Sequence, residues 1–125
     1  MNDDVRLGLQ KAEEFLNDAE LLFESGRYES TVNRAYYCMF KVVQTILLDK
    51  DIFTKTHKGA RVKFHELFLK TNLLPEHLGE MFDDASELRQ DADYDFEKNV
   101  SESGARKTIE NASLFLNAVK GFLEK

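Results

Sequence analysis

Scarcity is the first feature of this 125-residue sequence: it has one proline, one cysteine, three histidines and no tryptophan. A single thiol, Cys38, rules out an internal disulfide, so packing alone must hold the chain together, and a reducing, cytoplasmic setting is the expectation. One proline and six glycines leave few interruptions to regular structure, which suits helices. Charged residues break every apolar run well before the ~20 residues that cross a bilayer, so no membrane association is expected. Asp3 and Asp4 stand where a secretion signal would have a basic region and an apolar run. His57, His65 and His77 form no pair at a four-residue step and no Glu-x-x-His, so neither a metal site nor a cofactor is expected. Asp91, Asp93, Asp95, Asn99 and Glu102 mimic the ligand spacing of a calcium loop. Phe96, however, occupies the position where that loop needs glycine for its sharp turn.

What is present is apolar surface in helical register. Apolar residues make up 42% of the chain, with ten phenylalanines among them, enough for one core and one domain over residues 1–125. The organising stretch is Arg34 to Leu48. Val32, Ala35, Met39, Val43 and Ile46 recur at steps of three and four; Tyr36, Phe40 and Leu47 widen that side, and Tyr37, Cys38, Val42 and Leu48 cover much of the rest. A helix apolar nearly all round needs neighbours on most of its circumference, so this one reads as the spine of a bundle.

Around it the chain parses into four more helices. Residues 3–25 carry Val5, Leu9, Ala12, Leu16, Ala19 and Phe23 in alternating steps of four and three, ending at Gly26. Residues 50–56 read as loop. Thr56 caps a helix over 57–71 whose apolar side is Val62, Phe64, Leu67, Phe68 and Leu69, and Pro75 opens a fourth helix reaching about Asp93. Ser101 and Glu102 start a fifth, with Ala105, Ile109, Ala112, Leu116, Val119 and Leu123 on its seam. The matching seams of the first and last helices predict that these two pack together, their alanines allowing close approach. The fold class is therefore all-α, an antiparallel bundle of about five helices.

Charge is unevenly spread. The net charge of −6 argues against broad nucleic-acid binding, but residues 54–72 carry Lys55, Lys58, Arg61, Lys63 and Lys70 against Glu66 alone. Such a patch suits one phosphate or one acidic partner, or is simply a solvated helix face. At its start, Thr56-His57-Lys58-Gly59 is either an ordinary capped helix opening or an anion site built from free amides and Lys58.

One residue breaks the apolar register. Leu78, Phe82, Ala85, Arg89, Ala92 and Phe96 share a face of the fourth helix, so Arg89 should turn inward. Asp93, one turn on, is its local partner; Tyr94 follows, and Tyr36 and Tyr37 on the spine are the nearest expected hydroxyls. The arrangement is either an ion pair that fixes the helix end or an arginine held in a cleft to grip a phosphate or carboxylate.

Three segments, Arg34-Ala35-Tyr36-Tyr37-Cys38-Met39-Phe40, Lys55-Thr56-His57-Lys58-Gly59 and Leu88-Arg89-Gln90-Asp91-Ala92-Asp93-Tyr94-Asp95, resemble the HEPN family, the higher-eukaryote and prokaryote nucleotide-binding domains, in its small free-standing prokaryotic branch. Ala112-Ser113-Leu114-Phe115-Leu116 resembles that family's last helix. The resemblance implies a homodimer, often paired with a minimal nucleotidyltransferase in a two-gene, toxin–antitoxin-like system. Ribonuclease members resemble one another in an arginine followed after four to six residues by histidine. Here Arg89 matches, but Tyr94, Asp95 and Phe96 fill the histidine positions, and a phenol near pKa ~10 is a poor proton shuttle at neutral pH. The leading expectation is a binding subunit for a nucleotide or a nucleotidyltransferase, with Arg89, Asp93, Tyr94, Tyr36, Tyr37, His57 and Lys58 as ligand-binding residues and no imidazole beside Arg89. The alternatives are a metal-independent ribonuclease toxin using Arg89, Asp93 and Tyr94, and a dimeric scaffold with no ligand.

Overall fold

The computed structural model describes residues 1–95 and 99–125, which place Phe96 and the end of the fourth helix's expected stripe outside the described residues. Five helices follow one another: α1 (Asp3–Glu24), α2 (Tyr28–Leu48), α3 (His57–Phe64), α4 (His77–Tyr94) and α5 (Glu102–Leu123), with no strand among the described residues. The chain is an all-α bundle.

The spine is α2. It touches all four other helices, and its buried residues lie on every side, from Thr31 and Val32 through Tyr36, Cys38, Met39 and Val42 to Leu47. Helix α1 leans on it along Val5, Leu9, Ala12, Leu16 and Ala19, all buried, with Phe23 half-buried at the end of the stripe. The two run antiparallel because the link between them is short. Gly26 adopts φ 74°, and the Arg27 amide returns to the Leu22 carbonyl at 2.9 Å, closing α1 and reversing the chain. Helices α1 and α5 do meet, with Ala12, Ala19, Ala105 and Ala112 fully buried, but each rests more extensively on α2 than on the other.

The third helix departs from the sequence reading. It does not run regularly over 57–71: after Phe64 the backbone widens into a π-helical stretch, His65–Leu69, marked by the Lys70 amide bonding the His65 carbonyl at 2.8 Å. Its buried line is Ala60, Phe64 and Phe68, one turn apart. Val62 sits two residues, about 200° of rotation, from both Ala60 and Phe64 and is therefore 49% exposed. Helix α4 starts at His77 rather than Pro75; the proline instead opens a tighter turn, its carbonyl accepting from the Leu78 amide at 3.1 Å. Ser101 caps α5 as expected, accepting from the Gly104 amide at 3.0 Å.

Aromatic rings join α3, α4 and α5. Phe115 lies 5.6 Å from Phe64 and 5.9 Å from Phe82, ring centre to ring centre. Where α1 crosses α2 the contact is tighter still, because a Cβ at Gly8 would overlap the side chain of Thr45. Gly8→Ala should therefore lower stability by about 1–3 kcal/mol in urea unfolding, although alanine is the better helix former. In a double-mutant cycle, Thr45→Ala should remove most of that penalty. Cys38 is buried between the same helices, and burial, with Glu13 as a lesser cause, pushes its thiol up to about 12. It should resist thiol reagents in the native protein and react on unfolding.

Candidate functional site

The site begins with a face of α2 that presents Tyr36, Tyr37 and Phe40 toward α3 and α4. The Tyr36 ring is 1% exposed and stacks on Phe82 of α4 at 5.7 Å, with the planes 4° apart. A buried phenol needs a hydrogen-bond partner, and here it comes from α3. Its oxygen lies 2.7 Å from His57 Nδ1 at the start of that helix, with Ser86 of α4 beside it on the same cavity wall. Ser86 accepts from Gln90 Nε2 at 3.3 Å. Burial raises the Tyr36 pKa, against the opposing pull of the Ser86 hydroxyl and the Arg89 charge, so the phenol stays neutral.

His57 is held by more than that bond. Thr56 caps the helix, its Oγ1 accepting from the Gly59 amide at 2.9 Å, which fixes where α3 starts. The imidazole then stacks on Phe40, 4.1 Å between ring centres and 8° between planes, and meets Tyr37 edge-on at 5.8 Å. Its pKa is lowered from 6.5, first by burial and then by the positive charge of Arg89. The imidazole beside the arginine, absent from the sequence reading, is thus supplied by α3 rather than by the turn after Arg89. Helical periodicity within α4 has no means of finding it.

Arg89 faces inward as its register requires. Its side chain is 12% exposed, its guanidinium lies 4.8 Å from the Tyr36 ring centre and 5.8 Å from that of Tyr37, and its Nη1 donates to Asp93 Oδ2 at 3.0 Å. Its Nε is buried without a hydrogen-bond partner. A flat cation over two phenol rings is a favourable use of arginine that lysine does not reproduce.

Against this cluster opens a cavity of about 230 Å³ lined by Tyr36, His57, Lys58, Arg61, Phe82, Ser86 and Gln90. The structure therefore brings together Tyr36, Tyr37, Arg89, Asp93 and His57, with Lys58 on the cavity wall. Tyr94, by contrast, is 77% exposed. Arg61 was read in the sequence only as part of the basic patch, and Ser86 and Gln90 were not read as site residues, although simple spacing marks two of the three: Arg61 is one turn beyond His57, and Ser86 one turn before Arg89. Arg61 reaches Asp83 only at 3.9 Å, with both side chains about half exposed, an arrangement that leaves it available to an anion. Asp91 and Asp93 belong to the last turns of α4, a helical backbone rather than a calcium loop, and no three His, Cys, Asp or Glu converge among the described residues. A second cavity, lined by Gly8, Lys41, Thr45 and Phe53 among others, holds neither a histidine nor a carboxylate.

Comparison with known proteins fixes the lineage. The HEPN domain profile matches residues 5–122. The chain belongs to the HEPN family. Among the relatives of this HEPN chain is a Methanocaldococcus jannaschii protein named "Putative toxin MJ0142", 37% identical over 92% of the chain and 78% of its own length. A second from the same organism, "Putative toxin MJ0605", is 33% identical over all of the chain and 96% of its own length. A UPF0332 protein of Thermotoga maritima is 33% identical over 92% of the chain and 87% of its own length. No described helix of this HEPN protein is long and apolar enough to cross a membrane.

A depressed histidine pKa favours the neutral ring in the folded state. The His57 contribution to stability is thus present above 6.5 and lost as pH falls through the lowered value. In an NMR titration His57 should titrate below 6.5, and Arg89→Met should move it part of the way back, since burial, the larger cause, remains.

Proposed function

We propose that this protein is a HEPN subunit of a toxin–antitoxin-like pair that binds a phosphate-bearing nucleotide, within a single-stranded RNA, in the cavity between α2, α3 and α4. The observation that carries the reading is the composition of that cavity: an imidazole, a lysine and an arginine around a wall of phenol and phenyl rings, backed by the Arg89 guanidinium. Phosphate oxygens need the cations and an unstacked base needs the aromatic face. Lys58 and Arg61 meet the phosphate. Arg89, stacked on Tyr36 and tied to Asp93, holds the wall in place and adds positive potential behind it.

The acidic body is part of the design. With a net charge of −6 but five bases against one acid over residues 54–72, the α3 segment is where a polyanion meets least repulsion, so binding favours one short segment. The family resemblance adds a homodimer and a small nucleotidyltransferase partner to the proposal. Leu7 and Leu21, two heptads apart and so on one face of α1, stand 61% and 63% exposed, as an interface between copies would need.

A labelled single-stranded RNA should bind and be displaced by salt. Lys58→Glu with Arg61→Glu should weaken binding at least tenfold in fluorescence anisotropy and reduce the salt slope by about one unit per residue. Equal binding by this variant and the parent would refute the site, and no binding by the parent would favour a ligand-free scaffold.

A further inference from the structure

The geometry points to a second ligand site, built by α1, α2 and the link between α2 and α3, that takes a small free carboxylate with an apolar body. Its cavity holds about 230 Å³ and is bordered by Gly8 of α1, by Lys41, Gln44 and Leu48 of α2, and by Ile52 and Phe53 of the link. It shares no lining residue with the cavity between α2, α3 and α4, so it stands or falls separately from nucleotide binding there.

The lining divides into apolar and polar parts. Leu48, Ile52 and Phe53 supply apolar surface, and Gly8 leaves the α1 side without a side chain. Thr45 donates its hydroxyl to the Lys41 carbonyl at 2.7 Å, so that group is already engaged. The Lys41 ammonium, the Gln44 amide and the Thr54 hydroxyl remain, all half-buried and none with a side-chain partner among the described residues. No carboxylate lines the cavity to neutralise Lys41. One cation and one amide at the edge of an apolar hollow fit a single anionic head on an apolar body. The volume is below the ~300–1,000 Å³ of drug-sized sites, which limits that body to one ring or a short chain.

The link also supplies a strap that closes over the ligand. Asp51 turns the chain at φ 59°, and the Ile52 amide is then anchored on the Leu47 carbonyl at 3.0 Å. Thr56 is anchored by its cap on the Gly59 amide at 2.9 Å. Between these anchors the amides of Phe53, Thr54 and Lys55 bond nothing among the described residues. Phe53 is 81% exposed although it borders the cavity. A ring on three residues without backbone hydrogen bonds turns inward at little cost. Over a ligand it buries apolar surface, while the amides of the strap donate to the carboxylate. A strap closed in this way leaves no exit for a longer chain, which favours a free molecule over the end of a partner protein.

The test uses the full-length protein with phenylacetate as the probe and phenylacetamide and phenethylamine as its neutral and cationic counterparts. In an NMR titration phenylacetate should saturate, shift the signals of Lys41, Gln44 and Phe53, and bind ~5-fold or more tighter than phenylacetamide. Phenethylamine should not bind. Hydrogen exchange at the amides of residues 53–55 should slow at saturation, which an ion resting on the surface would not cause. Lys41→Met should abolish the preference for the acid while keeping phenylacetamide binding, a sign that the cavity is intact. Phe53→Ser, at an exposed position, should weaken both probes ~3-fold or more without lowering the unfolding midpoint. Equal binding of acid and amide by the parent would overturn the site, as would absence of binding or an unchanged preference in Lys41→Met. Displacement of phenylacetate by equimolar inorganic phosphate would reduce the site to a surface charge, and tighter binding of an acetylated peptide ending in phenylalanine would make it a dock for a chain end. Either result overturns a site for a small free carboxylate.

Discussion

The hydrogen bond that the structure turns on is the one made by a phenol with almost no access to water. Tyr36 is part of the spine, and its hydroxyl would be an expensive orphan in the core. Satisfying it with His57, while the ring stacks on Phe82, ties the start of α3 and the middle of α4 to the same side chain of α2. Packing against the spine sets where the helices lie. This one side chain sets how far each may slide or turn, and the cavity exists only in that register.

Electrostatics then divides the labour between two arginines. Arg89 is stacked, paired with Asp93 and nearly closed to solvent, and its field lowers the pKa of a neighbouring base without an anion needing to touch it. Arg61 is half exposed and weakly paired, a cation that can change partners. Both have the same guanidinium; burial decides which one shapes the site and which stays open to solvent.

Much of this was legible in the residues. Alternating steps of three and four gave the spine and the seams of α1 and α5, because those patterns are local and repeat over many turns. The caps at Thr56 and Ser101 and the stop at Gly26 were equally local. The inward turn of Arg89 followed from its place between Ala85 and Ala92. What escaped had either no period or no local cause. The π-helical stretch after Phe64 changes the register without any proline or glycine to announce it. The neighbourhood of His57 depends on a contact across 21 positions of sequence. Tyr94, the residue next to the aspartate partner of Arg89 in sequence, turned out 77% exposed, since one step along a helix is 100° of rotation.

The widened turn at His65–Leu69 has an effect on how this helix tolerates change. A regular helix behaves like a geared rod: moving one end by a residue rotates the other by the same step. Here the additional residue sits midway as a vernier, letting Ala60 and Phe64 stay seated under the imidazole end while Phe68, Leu69 and Leu74 find their own angle against the bundle. A change of length would be absorbed most cheaply at that point, with the His57 edge left in place and only the loop toward α4 re-phased.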